Sequence, residues 1–192
     1  MSVEPKREID RLKNEILSII SRSKVPEDLA HAHNTLEWLF RLKPDADKVL
    51  QICAVGHDIE RAIDNRRVRR EDYLDYDAFK DAHAKNSALV LREIMQNYPL
   101  KKDFMNEVFT IVSRHETGGD VRSDLIRDAD ALSFFDVNLP LFLRREGWEK
   151  TLSRCLWGYK RISETKRPLV LKFVHHDDKI NKLIQYVTKE DQ

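Results

Sequence analysis

Val49-Leu50-Gln51-Ile52-Cys53-Ala54-Val55-Gly56-His57-Asp58 is the stretch on which the reading of this chain turns. Val49, Ile52, Cys53 and Gly56 recur at helical spacing, and His57 continues their side one turn beyond Cys53. Asp58 is rotated by about 100° from His57. An imidazole and a carboxylate therefore reach one point from the inner end of a helix expected to run to about residue 60. Gly56 lowers helix propensity by about 1 kcal/mol relative to alanine, which implies space yielded to a neighbouring helix or a ligand.

The same pairing of buried stripe and titratable side chain recurs on both sides of this run. A helix expected over about 28–42 gathers Thr35, Trp38, Leu39 and Leu42 around His31, while His33 falls opposite with Glu37 and Arg41. Another, over about 77–97, places His83 on the line of Phe79, Ser87, Val90, Leu91 and Ile94. A third, over about 101–115, carries Phe104, Val108, Ile111 and Val112 up to His115. It stops at Thr117-Gly118-Gly119, where glycine permits a left-handed exit. The helix over about 122–138 is apolar nearly all round, so periodicity leaves both Asp128 and Asp130 open as the inward acid.

Each residue has a plainer explanation taken alone. A core histidine commonly bonds a backbone carbonyl, and one at a helix C-terminus is favoured by the macrodipole. An inward aspartate commonly pairs with an arginine, for which Arg114, Arg122 and Arg127 are at hand. A buried carboxylate left unpaired costs several kcal/mol. Four stripe histidines together with inward carboxylates exceed what separate core hydrogen bonds require, and a shared metal centre is the expectation.

The remainder of the chain is helical in pattern. Its 192 residues fit one domain, and only five glycines and six prolines interrupt it. A helix is expected over about 5–21 with Ile9, Leu12, Ile16 and Ile19/Ile20 on one face, and others over about 148–163 and 176–189. That makes about eight helices in an all-α, single-domain bundle with the metal site in its core. The stretch 61–76 reads as a polar, basic loop or broken helix, the helix before Pro140 is expected to end there, and 168–173 alone has strand-like composition. Trp148, Leu152, Cys155, Leu156 and Tyr159 form an amphipathic face suited to covering the core or to a homodimer seam.

A net charge of +1, from 34 basic and 33 acidic residues, gives no global field to favour nucleic acid or an anionic membrane. No apolar run approaches the roughly 20 residues of a bilayer span. Residues 1–6 lack a secretory pattern. The two cysteines, Cys53 and Cys155, sit among apolar neighbours, which suits a reducing, cytoplasmic setting without disulfides.

The order His31, His57-Asp58, Asp130 resembles the HD superfamily of metal-dependent phosphohydrolases, an all-helical fold. Arg127-Asp128-Ala129-Asp130-Ala131-Leu132 looks like the last motif of that family, in which the aspartate before a small residue and leucine is the ligand; this resemblance favours Asp130 over Asp128. His83 and His115 resemble the extra histidines of members that hold two metals. The similarity covers roughly residues 28–138. Ile59-Glu60-Arg61 follows the doublet where many catalytic members carry a lysine or a second acid, and this leaves the subfamily open.

The resemblance implies metal ligation by His31, His57, Asp58, His83, His115 and Asp130. Imidazole and carboxylate without thiolate suit Fe, Mn, Co, Ni or Zn, as one ion or two. The chemistry implied is attack of activated water on a phosphoester of a nucleotide or other small phosphorylated metabolite. Asp58, Glu60 and Glu116 are the candidate catalytic carboxylates, the last two as proton relays. Arg61, Arg66 and Arg67 are the candidate substrate contacts, because guanidinium forks match phosphate. Two rivals accompany this reading: an oxygenase-type enzyme using a two-iron site, and an HD-fold binding or regulatory module without turnover.

Overall fold

A computed structural model describes residues 3–189. Met1 and Ser2, part of the segment read for a secretory signal, lie outside the described residues. Nine α-helices form the chain among the described residues: α1 Val3–Ile20, α2 Asp28–Leu42, α3 Lys48–Gly56, α4 Tyr76–Met95, α5 Lys102–Val112, α6 Val121–Ser133, α7 Leu139–Glu146, α8 Trp148–Arg161 and α9 Asp178–Lys189. None of the described helices is long and apolar enough to cross a membrane.

Helix α3 is the axis of the bundle. Seven of its nine residues, from Val49 to Gly56 except Gln51, are buried, and α1, α2, α5 and α6 all pack against it. A helix apolar on every side is stable only when neighbours surround it. Its entry is set by Asp47, whose carboxylate accepts from Leu50 N at 3.0 Å and is clamped from outside by both guanidinium nitrogens of Arg122, each at 2.9 Å. Gly56 is the point of closest approach: a Cβ there would lie 2.7 Å from Leu91 Cδ2 of α4. The expected accommodation of a neighbouring helix is what this glycine provides.

Several boundaries differ from expectation. Helix α3 ends at Gly56, and a 3-10 turn over Ile59–Ala62 follows it. The helix expected to end near Pro140 does not stop. After α6 the chain passes through a π-helical turn, Phe134–Asn138, and continues as α7, with Pro140 at its second position. Proline is tolerated there because the first turn has no intrahelical acceptor for the missing N–H. The strand-like stretch 168–173 lies within a 3-10 helix, Arg167–Lys172; no strand exists among the described residues for it to pair with. In α8, Cys155 and Tyr159 are buried and Leu152 and Leu156 pack on the core, while Trp148 remains exposed.

Candidate metal centre

Four helices deliver their histidines to the same place by four local devices. Past the end of α3, His57 turns back and places Nδ1 3.0 Å from Ala54 O; past α5, His115 does the same with Val112 O at 2.8 Å. Both carbonyls lie in the last turn of a helix, where the regular backbone ladder runs out; Val112 O also takes the backbone N–H of His115 at 3.2 Å. In each case a carboxylate follows the histidine, Asp58 in one and Glu116 in the other. His83 of α4 sends Nδ1 to Glu60 Oε1 at 2.6 Å. His31 of α2 sends Nδ1 to Ser133 Oγ at 2.9 Å, and that hydroxyl lies 3.3 Å from His31 O, to which it donates.

A carbonyl or carboxylate oxygen only accepts, so Nδ1 carries a hydrogen in His57, His115 and His83, and Ser133 leaves the same role to His31. All four Nε2 atoms face one buried space, where each is held by a proton or is open to a metal ion. His31 Nε2 stands 3.2 Å from His57 Nε2 and 3.0 Å from Asp130 Oδ1. His83 Nε2 stands 2.8 Å from Asp58 Oδ1, while His57 and His115 Nε2 each lie 3.8 Å from the same oxygen. His115 Nε2, fully buried, has no aligned hydrogen-bond partner among the described residues. Ligand atoms of His31, His57 and Asp130 fall within 4.8 Å of one another, as do those of Asp58, His83 and His115, and those of His115, Glu116 and Asp130.

Charge points the same way. Arg61 pairs with Asp28 and Asp58, Lys80 with Glu116, and Arg161 with Glu116 and Asp130, while Glu60 meets His83. Burial alone would raise Asp58, but His57, Arg61 and His83 hold its carboxyl well below the usual range. Asp130 is held low against burial by His31, His57 and Arg161. Burial would lower His57, yet Asp58 and Asp130 outweigh it and lift the imidazole from 6.5 to about 9. His83 is raised by Asp58 and Glu60 despite burial, whereas burial prevails at His115 and lowers it. Protons on His57 and His83 thus supply the positive charge that a metal ion would bring. The imidazole–carboxylate donor set and the buried His115 Nε2 fit a metal ion.

Asp130 faces this centre, and Asp128 does not. Asp128 is also buried, but it accepts from Ser163 N at 2.9 Å and meets Lys166 at 3.1 Å. Glu60 stands behind His83 and also accepts from Val68 N at 2.6 Å, which makes it an orienting carboxylate. Glu116 is bound by Lys80 and, at 2.5 Å, by Arg161. Burial would raise it, but those two cations hold it well below the usual carboxylate range, a poor setting for taking up a proton. Arg61 grips Asp58 at 2.6 Å and Asp28 at 2.9 Å, so it positions a ligand. Arg66 is turned to Glu93 on the surface at 2.5 and 3.0 Å, and of the loop pair only Arg67 lines the cavity above the centre.

That cavity, about 750 Å³, opens over His31, Asp58, His83 and Asp130. Its lining includes Arg69 and Arg70 of the basic loop, together with Lys80 and Arg154, which no sequence pattern marked. Lys80 was within reach of it, three residues before His83 on the same helix face. Arg161, which meets Glu116, Asp130 and the carbonyl oxygens of His115 and Glu116, was not. It arrives from α8, and no local pattern connects that helix to the centre.

Neither the curated proteins nor the solved structures compared with this chain yield a match. A protein-family model described as "Domain of unknown function (DUF4202)" matches residues 7–184, and the chain belongs to that family.

Proposed function

We propose that this protein is a metal-dependent phosphohydrolase of HD-superfamily type, acting on a nucleotide or another small phosphorylated metabolite. The observation that carries the reading is the convergence of four Nε2 atoms with Asp58 and Asp130 on the floor of a cavity rich in cations. Its volume is that of a small-molecule site.

His31, His57, Asp58, His83, His115 and Asp130 would hold one ion or two. When bound, the metal supplies Lewis acidity, which lowers the pKa of water and offsets charge on phosphoryl oxygens. The protein's own part is positioning and charge. Ala54 O, Val112 O, Glu60 and Ser133 fix the four imidazoles. Arg61 fixes Asp58, and Arg161 and Lys80 balance the acids that ring the centre. Arg67 and Arg69 line the cavity without an ion pair among the described residues, leaving their guanidinium groups available to an anionic substrate.

The test is release of inorganic phosphate from nucleoside, sugar and alkyl phosphates by protein supplied separately with Mn, Fe, Co, Ni and Zn. Oxygen consumption is recorded in parallel. Metal-dependent release that disappears in Asp58→Asn is the expected result. Metal uptake with no phosphate released from any ester contradicts the reading, and oxygen consumption in its place assigns the centre to oxidative chemistry.

A further inference from the structure

One helical face leads directly away from the metal centre. Asp130, Phe134, Asn138 and Phe142 follow one another at intervals of four residues through α6, the π turn and α7, and all four line the cavity. In an unbroken α-helix, steps of four drift by about 40° each, since a turn takes 3.6 residues. Such a stripe would wind off the cavity wall. The π turn over Phe134–Asn138 adds a residue to one turn and brings the face back into register. Single π turns of this kind occur frequently at functional sites.

The polar member of the stripe is the informative one. Asn138 is only 6% exposed, and its Oδ1 has no hydrogen-bond partner among the described residues. A buried amide oxygen without a partner is unfavourable, so an asparagine at this place calls for a partner from outside the chain. Phe134 and Phe142, four residues to either side of it in sequence, meet each other edge to face with ring centroids 5.7 Å apart. Arg154 lies over the Phe134 ring at 4.2 Å, with its Nη1 also without a hydrogen-bond partner among the described residues.

We propose that Asn138, with Phe134 and Phe142, is the specificity-determining station for the non-reacting end of the substrate. The ligand it takes is a planar heteroaromatic ring with an adjacent donor and acceptor on one edge, as in a nucleobase. This inference rests on the phosphohydrolase reading for its orientation, with the phosphoryl group at the Asp130 end. Eight residues separate Asp130 from Asn138, about 12 Å at 1.5 Å per residue, which is the scale of a phosphoryl group joined to a base through a pentose. A primary amide pairs in two-point fashion with an adjacent donor and acceptor, as asparagine does with adenine. Beside this amide the wall carries two aromatic rings, with Arg154 over Phe134 and Arg145 over Phe142, a surface suited to a planar ring more than to a polyol. A purely apolar group would leave the amide unsatisfied.

The test uses unphosphorylated probes, so it is independent of metal and of turnover. Binding of adenosine, guanosine, cytidine and uridine is measured by equilibrium dialysis and ligand-observed NMR, with ribose and benzyl alcohol as controls. At least one nucleoside should bind more tightly than either control. Asn138→Ala and Phe142→Ala should each weaken it about tenfold, and the near-isosteric Asn138→Asp should change the order of preference among the four. Loss of phosphate release with nucleoside binding intact would remove the hydrolase reading and leave this station standing. The proposal is overturned if no nucleoside binds, if ribose or benzyl alcohol binds equally well, or if folded Asn138→Ala and Asn138→Asp proteins bind as the parent does.

Discussion

His31 Nε2 and His57 Nε2 lie 3.2 Å apart, and each imidazole has already committed its Nδ1 hydrogen elsewhere. Two lone pairs at that separation repel unless a cation or a proton lies between them. A divalent metal should therefore stabilise the fold, by about 2.7 kcal/mol at a hundredfold excess over Kd. At 2–4 °C per kcal/mol for a chain of this size, Mn, Co, Ni or Zn should raise the Tm by roughly 5–10 °C. His57→Ala should abolish the shift. A Tm indifferent to every one of these ions would show that protons alone satisfy the pair.

Proton and metal compete for the same atom. His57 is raised from 6.5 to about 9 without metal, so its protonated form contributes stability fully below pH 6.5, and that contribution fades as pH rises through 9. The carboxyls of Asp58, Asp130 and Glu116 are depressed, so their contribution is present at and above the ordinary carboxylate range and lost as pH falls below it. Metal-free protein should lose stability between pH 6.5 and 9, whereas metal affinity should climb over the same interval, up to about tenfold per pH unit for each proton displaced. Calorimetric titration in buffers of different ionisation enthalpy counts those protons. Zero released at pH 7 would contradict the assignment.

Arg161 is nearly buried against Glu116 and Asp130. Removing one member of a buried ion pair typically costs about 3–5 kcal/mol. Arg161→Met should lose about that much stability in chelator and distinctly less with saturating metal, because the added negative charge draws the ion more tightly. Equal losses under both conditions would reduce Arg161 to a packing residue.

Gly56→Ala places a methyl group 2.7 Å from Leu91 Cδ2, and Leu91 is itself fully buried. Overpacking costs about 1–3 kcal/mol, against a helix-propensity gain of at most about 1 kcal/mol. The net expectation is a Tm lower by a few degrees, read by thermal denaturation. An unchanged or higher Tm would mean that α4 yields freely at this contact.

The centre was legible where a titratable residue occupied a position that periodicity reserves for the core. His31, His57, His83 and His115 each stand in such a place, and burial without a reason is a physical signal that one helix can carry. Asp130 was not separable from Asp128 in that way, because α6 is buried on both of the sides they face. The resemblance favoured Asp130, and the contacts of Asp128 with Ser163 and Lys166 supply the physical reason. Arg66 and Arg67 differ only in which way a loop turns, which composition does not encode. The stripe beyond Asp130 was hidden because Pro140 reads as a stop, although it is harmless in the first turn of α7.

Elemental analysis of purified protein after incubation with Mn, Fe, Co, Ni and Zn, followed by removal of free ions, bears most directly on the metal centre. One or two equivalents of a transition metal should remain bound, with imidazole nitrogen in its X-ray absorption spectrum, and Asp58→Asn should lose most of it. Protein that retains no metal, or retains it equally after that substitution, would contradict the account.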